Sequence, residues 1–197
     1  MTTTKKLVVA VVALSLALVT VVGATLAFLL DESNVVTNKF TYGKIEIVLT
    51  ENNKADQDGL EFTNVVPGDV LKKDPIVTVN AGSEACYVYV LIDNQLGDAA
   101  SYNIDTTKWI LVEDYTNATK KLYRYYEVVN ALEAAKDLAV FSELTFRPNL
   151  TSADLTTLKD KNVVITAYAY QAENLAATAE ASITAANDAA KTWAATK

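Results

Sequence analysis

The sequence has no histidine, one cysteine, three prolines and six glycines in 197 residues. Each scarcity excludes something. Without histidine the chain lacks the commonest general base and the commonest metal ligand. No Ser-His-Asp triad, Cys-His pair or H-E-x-x-H zinc site can be built from it. With Cys86 alone there is no intramolecular disulfide framework, so core packing or neighbours in an assembly must hold the fold. Positive charge is also short, with 17 Lys and Arg against 24 Asp and Glu. That balance disfavours nucleic acid as a partner, because phosphate contacts supply most of the affinity there. It suits a protein that must avoid non-specific association.

What is present begins with the first fifty residues. Lys5 and Lys6 precede an uncharged, mostly apolar run from Leu7 to Leu30, inside which Gly23-Ala24-Thr25-Leu26-Ala27 is a stretch of small residues but for Leu26, and Asp31-Glu32-Ser33-Asn34 follow. This is the layout of a secretory signal: a positive segment, an apolar core and a peptidase site. Thr25 and Ala27 would fill the small −3 and −1 pockets, and the processed chain would begin at Phe28. Its balance would then be −9, since only Lys5 and Lys6 are charged in the removed segment. The run is also long enough to span a bilayer, which takes about 20 apolar residues. An uncleaved anchor carrying a cell-surface binding module is therefore the alternative reading. Either way the rest of the chain is expected to work outside the cytoplasm.

Downstream, alternation and β-branched content predict strands over Lys44–Leu49, Glu61–Val65, Val70–Val79 and Ala85–Asp93. Glu51–Gly59 reads as a loop, Pro67-Gly68-Asp69 and Asn80–Ser83 as turns, and Pro75 as the mark of an edge or bulge. In Ala85–Asp93, Cys86, Val88, Val90 and Ile92 share one face and Tyr87, Tyr89 and Leu91 the other, as in a central strand buried on both sides. Cys86 is expected there as a small buried hydrophobe. Further strands are predicted at Lys108–Glu113, Lys121–Val129, Val140–Phe146 and Asn162–Gln171. Asn130–Asp137 is rich in helix formers and reads as a short helix. Thr151 reads as the N-cap of a helical turn reaching about Leu158. Ala172–Lys197 is alanine-rich, with Ile183, Ala186, Ala190 and Trp193 at helical spacing, and predicts an amphipathic helix on the sheet. The fold class expected is mainly β: a jelly-roll-type β-sandwich with short helical insertions and an Ala-rich C-terminal helix. The domain plan is 1–27 signal, 28–43 N-terminal segment and 44–197 sandwich.

The chemistry-bearing candidates are few. Asp56-Gln57-Asp58-Gly59 resembles the middle of a calcium loop, but in that register Lys54 and Val65 would hold the first and last ligand positions, so a solvated turn is expected. Asn117-Ala118-Thr119 and Asn149-Leu150-Thr151 are glycosylation triplets that arise often by chance. Tyr123-Arg124-Tyr125-Tyr126 offers a stacking platform, or half-buried strand packing with Tyr123 and Tyr125 on one face. Carboxylates are abundant but scattered, and no pair stands out for glycoside chemistry. No catalytic residue, metal ligand or cofactor follows from the residues.

Phe28–Val36 stands apart. Phe28, Leu29 and Leu30 form an apolar start, and Val35 and Val36 resume a β-prone pattern beyond the polar stretch. It reads as a first strand or tail of its own sandwich, or as a strand donated to an open groove in the next subunit. Donation satisfies an exposed sheet edge through main-chain hydrogen bonds, and an unclosed head-to-tail contact of that kind yields a filament.

The Gly-Ala-Thr-Leu-Ala end of the signal and Thr37-Asn38-Lys39-Phe40-Thr41-Tyr42-Gly43-Lys44-Ile45-Glu46-Ile47 resemble the N-terminal block of the TasA/camelysin family. Val66-Pro67-Gly68-Asp69, Lys73-Asp74-Pro75, Asn80–Val88, Phe141–Thr145 and Ile165–Ala172 extend the resemblance across most of the chain. It implies a secreted jelly-roll subunit of biofilm-matrix fibres in Gram-positive bacteria. It also implies a signal processed by a SipW-type peptidase, and polymerisation by donor-strand exchange through Phe28, Leu29, Leu30, Val35 and Val36. The partners implied are other copies in a head-to-tail homopolymer and an accessory fibre-anchoring protein. The family label also carries a metalloprotease activity, which a chain without histidine or a zinc motif is not expected to share.

Overall fold

The structure is a computed structural model that describes residues 43–51, 54–55, 65–115 and 117–197. All of them fall within the compact unit Tyr42–Lys197. The signal and donor positions Thr25, Ala27, Phe28, Leu29, Leu30, Val35 and Val36 lie outside the described residues. So do residues 56–64, with the calcium-like turn and most of the strand expected at Glu61–Val65.

Twelve strands and two α-helices occur among the described residues. One sheet has the order β10 (Lys136–Ala139), β4 (Pro75–Val79), β1 (Ile47–Glu51) and β2 (Lys54–Ala55). A second has β12 (Val163–Gln171), β5 (Ser83–Asn94), β8 (Lys120–Tyr125) and β7 (Trp109–Leu111), with β9 (Val129–Ala131) also paired to β5. A small third sheet orders β3 (Val70–Lys72), β11 (Glu143–Phe146) and β6 (Ala100–Tyr102). All pairings are antiparallel. The chain is thus mainly β, a sandwich whose sheets curl into a half-barrel with a C-terminal helix, as the sequence led one to expect.

β5 organises the packing. Cys86, Val88, Val90 and Ile92 join Val77, Val79, Leu138 and Trp109 in the core between the two larger sheets. Tyr87, Tyr89 and Leu91 face the other way, with Leu122, against α2 (Ala179–Ala194). Each fully buried Val, Leu or Ile contributes about 1.5–3 kcal/mol. Trp109 has no exposed surface and donates from Nε1 to the Ala139 carbonyl at 2.8 Å, tying β7 to the end of β10.

α2 has Thr178 as N-cap, its side chain accepting from the Ala181 N–H. Ala186, Ala190 and Ala194 are its buried stripe, small enough to let the helix lie close on the sheet. Trp193 stacks on Tyr168 of β12 at 4.9 Å, and the buried Tyr89 hydroxyl donates to Asn187 Oδ1 at 2.9 Å. α1 (Ser152–Leu158) carries a capping box. Asp154 N–H donates to Thr151 Oγ1 at 3.2 Å, and Thr151 N–H to Asp154 Oδ2 at 2.8 Å.

Several expectations need correction. Asn130–Asp137 is not a helix: its ends belong to β9 and β10. Ala131 and Leu138 are buried, and pairing with β5 and β4 outweighs intrinsic helix propensity. The loop expected at Glu51–Gly59 begins instead with the end of β1 and its short partner β2. Val70–Val79 is two strands in different sheets. Pro75 is neither at an edge nor at a bulge. It opens the inner strand β4, where only its carbonyl is used, accepting from Val140 N–H at 2.9 Å.

Candidate functional site

The sandwich is not equally closed on all sides. β5 is paired along both edges, by β12 on one and by β8 and β9 on the other. β12 pairs with β5 over all nine of its residues and, among the described residues, has no strand on its other side. The register decides which backbone groups are left over. Ala172 N–H donates to Ala85 O at 2.8 Å and Gln95 N–H to Asn162 O at 3.0 Å. In an antiparallel ladder such hydrogen-bonded pairs recur at every second residue. The N–H and C=O of 164, 166, 168 and 170 therefore point to β5, and those of Val163, Ile165, Ala167, Ala169 and Gln171 point outward. β12 is thus a nine-residue edge offering main-chain donors and acceptors.

The side chains beside those groups are apolar and only partly covered. Val163, Ile165, Ala167 and Ala169 are half-buried against the main core. β1 flanks the same side of the half-barrel, with Ile45, Ile47 and Leu49 half-buried against that core. The face of β12 carrying Tyr168 and Tyr170 is covered by α2. An edge that is apolar toward the core and unpaired in its backbone is a template for another strand.

The two ends of this edge differ. At the Gln171 end, Glu84 N–H donates to Lys44 O at 3.0 Å, so the chain enters the sandwich beside β12's last residues. Gly43 lies close to the exposed Glu84 side chain there: a methyl at its Cα would come within 2.5 Å of Glu84 Cγ unless that flexible chain turned aside. At the Val163 end lies a cavity of about 500 Å³ walled by Leu71, Leu144, Phe146, Leu155, Leu158 and Val163. Lys73, at the same cavity, is buried and holds both carboxylate oxygens of Glu51 at 2.8 Å. That pair fastens the end of β1 to the segment after β3, and no pattern in the sequence connects residues so far apart.

The other candidates resolve as packing. Tyr123 is buried and meets the Tyr102 hydroxyl at 3.2 Å, and Tyr125 lies edge-on to Trp109 at 5.2 Å. Tyr126 is exposed, edge-on to Tyr125, so the cluster presents no flat platform. Burial holds the Tyr89 and Tyr102 hydroxyls well above the ordinary tyrosine range. Asn117 accepts from the Thr119 and Lys120 N–H groups in a tight turn. In the other triplet Thr151 serves as the cap of α1.

Cys86 is a free, fully buried thiol whose pKa desolvation pushes up to about 11. Among the described residues no three Asp, Glu or Cys side chains converge as a metal-holding group. Thr107 hydrogen bonds hold Asp105 below the usual carboxylate range, and the Lys191 ammonium does the same for Asp114.

A family model described as camelysin metallo-endopeptidase matches residues 2–185. No curated protein and no solved structure matches the chain.

Proposed function

The chain belongs to the camelysin metallo-endopeptidase family, and from that premise we propose that it is a secreted structural subunit of extracellular fibres rather than a protease. Signal removal after Ala27 frees Phe28, and the β-prone segment 28–36 then adds to the sheet of another copy. Processing is the assembly switch, because a start tethered in the membrane cannot reach a neighbour's edge. The observation that carries this reading is the open edge of β12, apolar toward the core and unpaired in its backbone among the described residues. Strand addition supplies main-chain hydrogen bonds for affinity and apolar contacts for fit.

The family's name implies a metal, and the donor set here does not suit one. The sequence has no imidazole, and its one thiol is held protonated in the core, whereas a metal-binding cysteine must be a thiolate. Carboxylates such as Glu51 and Asp154 already serve a lysine and a helix cap. No metal-dependent step is assigned to any residue.

Negative-stain electron microscopy of the chain beginning at Phe28, beside one beginning at Thr37, tests the proposal. Fibres from the first and dispersed particles from the second are expected. Fibres from both would place polymerisation on another surface. Dispersed particles from both would favour the anchored surface module, in which the Leu7–Leu30 segment is retained and intact mass includes Met1.

A further inference from the structure

We propose that the cavity at the Val163 end of β12 binds a monomeric fatty acid, its alkyl chain against the apolar walls and its carboxylate at the mouth. The inference goes beyond the fibre reading and does not rest on it.

The walls set the tail. α1 has no buried residue, so its apolar side is not packed into a core as the alanine stripe of α2 is. Leu155 and Leu158, three residues apart on one side of α1, are half-buried and line the cavity. Leu144 and Phe146, two residues apart on one face of β11, are buried and line it too. Its volume of about 500 Å³ lies within the range of about 300–1,000 Å³ seen in small-molecule sites, which are mostly apolar with a few placed polar groups. An alkyl chain suits such walls, because each methylene buried adds about fourfold to affinity. A sugar would forfeit its hydrogen bonds to water against them.

The mouth sets the head group. Of the lining residues, Lys159, Asp160, Lys161 and Asn162 are the exposed ones, so the cavity meets solvent along that stretch. Main-chain bonds hold it in place: Lys161 N–H donates to Leu158 O at 3.0 Å, and Asn162 O accepts from Gln95 N–H at 3.0 Å. A rim fixed in this way costs a ligand little ordering. Among the described residues no ion pair engages Lys159 or Lys161, whereas the ammonium of the buried Lys73 is neutralised by Glu51. Two unpaired ammonium groups against the one carboxylate of Asp160 leave the mouth positive, in a chain with 17 Lys and Arg against 24 Asp and Glu. A carboxylate head on an apolar tail matches both parts of the site.

Isothermal titration calorimetry of the chain beginning at Phe28 tests this, with octanoate, decanoate and dodecanoate as probes below their micelle concentrations. One molecule per chain is expected, with affinity rising about fourfold per added methylene until the cavity is full. Dodecyltrimethylammonium has the tail of dodecanoate with the opposite charge, and should bind about tenfold more weakly. Lys159→Ala with Lys161→Ala should remove that preference by weakening dodecanoate. Leu158→Trp fills the cavity and should abolish uptake in a chain that melts like the parent. Leu155→Trp takes its place where the first variant does not fold. No heat from dodecanoate, equal affinity for the two charges, or unchanged uptake by a folded tryptophan variant each overturns the inference. Cosedimentation with phosphatidylglycerol vesicles, by a chain that takes up no monomeric dodecanoate, overturns it in favour of a lipid surface. All of these results leave the fibre reading intact, and a chain that binds dodecanoate but makes no fibres sinks only that reading.

Discussion

β5 and β12 lie side by side in one sheet and look alike in sequence, yet they do different work. Ser83–Asn94 and Val163–Gln171 are both apolar runs with tyrosines on one face. β5 has a neighbour on each edge and a cover on each face, and its residues from Cys86 to Ile92 are buried. β12 has the same helix over its tyrosine face, but one edge has no strand partner among the described residues and most of its side chains are only half-buried. Apolar composition therefore gives a strand its place in a sandwich, and the count of its paired edges separates a core strand from one that can take a partner. In β5 truncation should be felt as lost stability. In β12 it should be felt as lost assembly.

Substitution tests that division, and the largest effect belongs to β5. Leu91→Ala removes a side chain packed against Leu122 and α2 and should cost about 2–5 kcal/mol. Ile165→Ala on β12 should cost well under half as much in the same urea titration. Equal costs would mean that β12 is as much core as β5. Next comes the cover the two strands share. Trp193→Ala removes the ring stacked on Tyr168 and should lower stability by about 2 kcal/mol, less than for a fully buried tryptophan. Fibre formation by the folded fraction should persist, since that face is not the open edge.

Further from both strands, Thr151→Ala removes the cap of α1 and should cost about 1 kcal/mol in thermal unfolding. The smallest effect is acid. Backbone and then side-chain hydrogen bonds from Thr151 hold the Asp154 pKa below its ordinary value. A depressed folded pKa stabilises fully above the unfolded value, about 3.9, and that contribution fades as pH falls through the folded value. Asp105 and Asp114 are shifted the same way. With no histidine to titrate, the melting temperature should be flat from about pH 5 to 8 and drop only below about pH 4. A step near pH 6.5 would contradict this.

How much of this the sequence declared depends on whether a feature is local. The two faces of β5, the burial of Cys86, the Thr151 cap and the Trp193 face of α2 are written in spacings of two to four residues, and all are found as expected. Asn130–Asp137 misleads because helix formers such as Ala131 and Lys136 take their conformation from β5 and β4, far away in sequence. The Lys73–Glu51 pair and the inner position of Pro75 are likewise matters of tertiary pairing. The open edge is the clearest case. Val163–Gln171 was legible as a strand, but a missing neighbour leaves no mark in the strand's own residues. The one local hint is that Ala167 and Ala169 are small where Val88 and Val90 of their partner are branched.

The most direct test of the central claim uses the alternation of β12's backbone. Ala167 directs its N–H outward and Thr166 directs its N–H to β5, so proline at these adjacent positions removes different hydrogen bonds. Thr166→Pro breaks the ladder to β5 and should cost at least about 1–3 kcal/mol. In the chain beginning at Phe28, Ala167→Pro should leave the melting temperature close to that of the parent and abolish fibres in the electron microscope. Fibres from a folded Ala167→Pro chain would contradict the account, because the arm could not then be pairing along that edge.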